Sequence, residues 1–150
     1  MNNAKGIWKK AFVLTVVGGL AFLLANFAIS RTPIAAEYRA AMSISYYPML
    51  LAALIGGLLI GFCVSYFLLR FFDKIPTKNP FQISVIMSLI ALVITTILNL
   101  VPHSFLGQRD VLHYLLIGIM LDGARFLILG IVIGYLYKRL DKGSDPSAKI

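Results

Sequence analysis

Two charged residues stand in an otherwise uncharged, strongly apolar stretch from about Leu115 to Tyr137: Asp122 and Arg125. A spacing of three puts them on neighbouring positions of a helix, where carboxylate and guanidinium can pair. Such charges in hydrocarbon cost about 2.5–3.5 kcal/mol each on insertion scales. Either they neutralise each other and fix helix register, or they form an ion, proton or headgroup site. Asn26 and Asn99 each fall about one turn inside the end of their apolar runs. With Tyr114 they are candidates to line a polar pocket around the pair, or each amide bonds a neighbouring helix.

Other reactive types are sparse. Asp110 and His113 are three apart at the start of the last apolar run, a spacing that can share a metal. His103 is the one other histidine, so no metal site is expected. Cys63 is the single cysteine, which excludes paired-thiol chemistry, and its apolar setting makes the thiol inert. No nucleophile–base pair, phosphate loop or haem-ligand pair appears. Neither catalytic activity nor a cofactor is expected.

These residues sit in a chain of 150 residues that is 59% hydrophobic and 13% charged. A soluble domain is roughly 45–50% apolar. The excess lies in four runs, at about 11–29, 48–69, 83–101 and 115–137. Each is long enough for about 30 Å of hydrocarbon, and in lipid such runs must be helices. The expected fold is a single all-α domain, an integral membrane bundle of four helices with a polar tail at 143–150.

Ten of the fourteen Lys and Arg fall in the N-terminal segment, the loop between runs two and three, and the C-terminal tail. Arg31, Arg39 and Arg109 fall on the other side, which predicts cytoplasmic N- and C-termini. The net charge of +8 therefore reads as an anchor on anionic lipid. No basic, aromatic-interleaved domain exists outside the runs, so nucleic acid is not an expected partner.

In the first connection, Thr32 followed by Pro33 reads as an N-cap and first helical residue. Ile34, Tyr38 and Met42 then recur at helical spacing, which predicts a short amphipathic helix lying at the outer surface. The segment 73–80 reads as a polar turn, and Asp110 as the cap of the last helix.

Small residues recur every four positions: Ala53, Gly57, Gly61 and Ser65 in the second run, and Gly130 and Gly134 in the fourth. Ser84, Ser88, Ala91, Thr95 and Asn99 form one stripe of the third. Such stripes let helix backbones approach closely in lipid, either within the bundle or against a partner. Gly61, Tyr66 and Arg70 are matched at identical spacing by Gly130, Tyr135 and Arg139. The match fits a duplicated helical hairpin, or two basic inner helix ends arrived at independently.

Size and span number resemble the small multidrug transporters, but the first run here lacks the glutamate those proteins carry there. The leading expectation is a small multi-pass membrane protein without catalysis, working as an oligomer or as a subunit of a larger membrane complex. A proton- or ion-coupled transporter or channel using Asp122 and Arg125 is the first alternative. A lipid-acting enzyme with an outward-facing pocket is the second.

Overall fold

The computed structural model describes residues 2–71, 79–103 and 111–142. Residues 73–78 of the predicted 73–80 turn, the predicted Asp110 cap and the 143–150 tail lie outside the described residues, as does the Asn99 side chain; Pro80, predicted in the turn, is helical. The described residues form helices only: α1 (Asn2–Ile29), α2 (Pro33–Ala41), α3 (Tyr46–Phe71), α4 (Pro80–His103) and α5 (Val111–Lys142). Four of them, α1, α3, α4 and α5, are long and apolar enough to cross a membrane. This is a multi-pass membrane bundle.

The helices run past the predicted ends of the apolar runs. With 32 residues, α5 is about 48 Å long, well beyond the hydrocarbon thickness. Hydropathy marks only the part in lipid; the backbone continues helical into the interface. Pro102, expected to end the third span, lies within the last turn of α4. The start of α4 carries a cap not read from the sequence. Asn79 Oδ1 accepts from the Phe81 amide at 3.2 Å, and Pro80 follows it as the first helical residue.

Two helical hairpins make up the bundle. In the first, α1 packs along α3, and a Cβ on Gly61 would lie 3.2 Å from the Thr15 carbonyl oxygen. Gly57 lies equally tightly against Phe22, whose Cδ1 would be 2.9 Å from such a Cβ. In the second, α4 packs along α5, where Gly130 sits under Ser88 and Gly134 under Ser84 and Phe81. The Ser84 hydroxyl donates to the Gly130 carbonyl at 2.7 Å, a bond between helices of the kind that holds bundles together in lipid. Gly57, Gly61, Gly130 and Gly134 are thus packing positions. Gly61 and Gly130 each seat the second helix of a hairpin on the first, Gly61 against the α1 backbone at Thr15 and Gly19, and Gly130 against Ser84 and Ser88 of α4.

The hairpins join mainly through α1 and α5. Gly18 meets Ile133, and the Phe22 and Phe126 rings meet edge to face with centroids 5.5 Å apart. Leu14, Val64, Leu68, Ile83 and Leu129 complete the core around them.

The short helix α2 folds back over the bundle on the side of the α1–α3 connection. Thr32 caps it as predicted, accepting from the Ala35 amide at 3.3 Å. Its buried face differs from the predicted one: Ala35 is 2% exposed and Ile34 is 45% exposed. The reason is steric. Tyr38, on the predicted face, turns in to fill the room that Gly118 of α5 leaves, while Ala35 is buried in place of Ile34.

Candidate functional site

The intramembrane charges pair as their spacing predicts. Arg125 Nη1 donates to Asp122 Oδ1 at 2.7 Å. The pair is unevenly covered: the Arg125 side chain is 15% exposed and that of Asp122 37%. Asp122 lies 11 residues from the start of α5 and 20 from its end, within the membrane-spanning stretch.

Two further helices, α1 and α2, meet α5 at this level of the bundle. Phe22 and Phe126 touch across α1 and α5. One turn further toward α2 on each helix are Asn26 and Asp122, since residues four apart share a helix face. Asn26 is fully buried, and neither its amide nitrogen nor its carbonyl oxygen has a hydrogen-bond partner in the structure. Arg125 Nε is likewise buried without a partner. A buried polar atom left unpaired costs about 1–3 kcal/mol. The Phe22–Phe126 contact seals the level below.

From above, the site is closed by Tyr38 of α2. A Cβ on Gly118 would lie 3.1 Å from the Tyr38 hydroxyl oxygen, so Gly118 leaves the room that this phenol fills. Gly118 is one turn of α5 from Asp122. Burial pushes the Tyr38 phenol above its ordinary value; the Asp122 charge adds to the rise and Arg125 opposes it. The phenol therefore stays protonated and can donate. Arg39 fixes the lid: its Nη1 donates to the Ser30 carbonyl at 2.6 Å, tying α2 to the end of α1.

The predicted pocket is met only in part. Asn26 comes to the level of the ion pair but does not hydrogen-bond to it. Tyr114 is eight residues from Asp122, about 12 Å along α5, and its ring packs edge-on to His113. The phenol beside the pair is that of Tyr38, which the sequence reading placed on an apolar face. A glycine one turn from an intramembrane charge was the available signal. Cys63 is exposed on the outside of α3 within its membrane-spanning stretch, so the side chain faces hydrocarbon, the apolar setting expected of it.

The chain matches no family model, no curated protein and no solved structure.

Proposed function

We propose that the protein is a non-catalytic multi-pass membrane subunit that acts through helix–helix contact, as an oligomer or inside a larger membrane complex. One observation carries this reading. The glycines of the bundle interior are packed, whereas a Cβ on Gly56 would meet nothing within 4 Å. Ala52, Gly56 and Cys63 lie within about 40° of one another around α3. They share an outward face with Leu59, which is 63% exposed. Small residues on an outward face of a membrane helix suit close approach by a further helix. The Lys and Arg distribution supports cytoplasmic termini, with α2 on the opposite side.

A photoreactive benzophenone side chain at Leu59, exposed on that face, makes this testable in native membranes, because its C–H insertion needs neither water nor a thiolate. Irradiation should link the chain to a second copy or to another membrane subunit, and Gly56→Leu should abolish the adduct. Absence of any adduct would count against the reading.

A second reading, a small proton- or ion-coupled transporter, is favoured by the 37% exposure of the Asp122 side chain. A carboxylate open at membrane depth needs water or a polar partner. On this reading Asp122→Asn keeps the fold and abolishes transport by proteoliposomes. Unchanged transport would rule it out.

A further inference from the structure

Arg31 and Arg39 each stack on an aromatic ring near the α2 end of one groove on the outer surface of the first hairpin. The groove has a volume of about 490 Å³ and is lined by Leu23, Leu24 and Phe27 of α1 and by Leu50, Leu51 and Leu54 of α3. All six side chains are apolar. Two rows of residues four apart frame it: Leu23, Phe27 and Arg31 on one side, and Tyr46, Leu50 and Leu54 on the other. The Arg31 guanidinium carbon lies over the Phe27 ring, 4.6 Å from its centroid. The Arg39 guanidinium carbon lies 5.4 Å from the centroid of Tyr46, one turn above Leu50. Arg31 is thus held on a ring that lines the groove, while Arg39, tied through Nη1 to the Ser30 carbonyl, stands on the ring one turn beyond the lining.

We propose that this groove is a binding site for one phospholipid with an anionic headgroup, from the leaflet on the α2 side. Depth supports this occupant. The lining begins two residues inside the end of α1 and four inside the start of α3. It therefore covers roughly the first 12 Å of hydrocarbon below the interface, where the upper part of an acyl chain lies. Charge supports it too. Among the described residues of the α1–α3 connection the one acidic side chain is Glu37, which forms no ion pair with either arginine. A guanidinium presents planar, paired donors suited to phosphate oxygens. The site is independent of the Gly56 face, which lies on the other side of α3, and of the side to which α2 projects.

The test uses the full chain in vesicles of equal phosphatidylglycerol and phosphatidylcholine, extracted gently and read by native mass spectrometry. The parent should retain phosphatidylglycerol over phosphatidylcholine by about fivefold, the scale of an exposed charge contact. Arg31→Gln, which removes a guanidinium whose described contact is one ring, should bring the ratio close to one. Leu54→Trp fills the groove, leaves both arginines in place, and should reduce retention of either lipid. Helical circular dichroism confirms that each variant is folded. Equal retention of the two lipids by the parent overturns the proposal. So does a preference that survives both substitutions, which would assign it to the basic terminal rim instead.

Discussion

Arg125 Nη1 lies 2.7 Å from Asp122 Oδ1, one turn apart on the same membrane helix. The pair needs no second helix to form, so α5 can enter lipid already neutralised. Removing one partner leaves the other charge exposed to low dielectric, whereas removing both leaves apolar surface. Asp122→Leu and Arg125→Leu should each lower thermal stability in detergent, and the double variant should recover much of the loss. A double-mutant cycle should give coupling above about 0.5 kcal/mol. Coupling near zero would refute a structural pair.

Close packing makes a second prediction. Gly61 faces the backbone of Thr15, which cannot move aside as a side-chain tip can. Gly61→Leu should therefore cost about 1–3 kcal/mol, as overpacking does. Gly56→Leu, with open space around it, should stay within about 0.5 kcal/mol of the parent. Chemical unfolding in a constant detergent would compare the two. Equal loss for both would contradict the described contact between α1 and α3.

Tyr38 gives a pH prediction. Its phenol loses its proton at a higher pH in the folded chain than in the unfolded one. The stability it contributes is complete below the unfolded value of about 10, and is lost as pH rises from there through the folded value. Ultraviolet titration should show one tyrosine ionising later than the others, and Tyr38→Phe should remove that late step. A late step that persists in Tyr38→Phe would show that the phenol is not enclosed by α2 and α5.

The membrane architecture was legible because hydrocarbon leaves so few options: four long apolar runs had to be helices, and glycines every fourth residue had to be contacts. Thr32 and Pro33 were legible because a cap is local. The ion pair was legible for the same reason, since both partners lie on one turn. Tyr38 was not. Its position depends on how α2 docks on α5, where Gly118, 80 residues further on, leaves the room that its phenol fills. The level of Asn26 was legible from its place near the end of its run, but its lack of a hydrogen-bond partner was not, because it follows from the Phe22–Phe126 and Gly18–Ile133 contacts, whose partners lie more than 100 residues apart in sequence.

Topology offers a fourth test. Four crossings return the chain to the side where it began, and the basic termini predict that side to be cytoplasmic. In a Cys63→Ala background, a cysteine at Ser43 should react with an impermeant reagent outside cells, and one at Ser147 should not. The reverse pattern would invert the orientation.

The most direct test of the proposed role is the mass of the intact particle after extraction in a mild detergent. One chain is 16.5 kDa. The parent should run as a multiple of that mass or as part of a larger complex. Gly56→Leu, folded but with its outward face blocked, should run as a single chain. A parent that stays a single 16.5 kDa chain in every mild extraction would contradict a subunit working through helix contact.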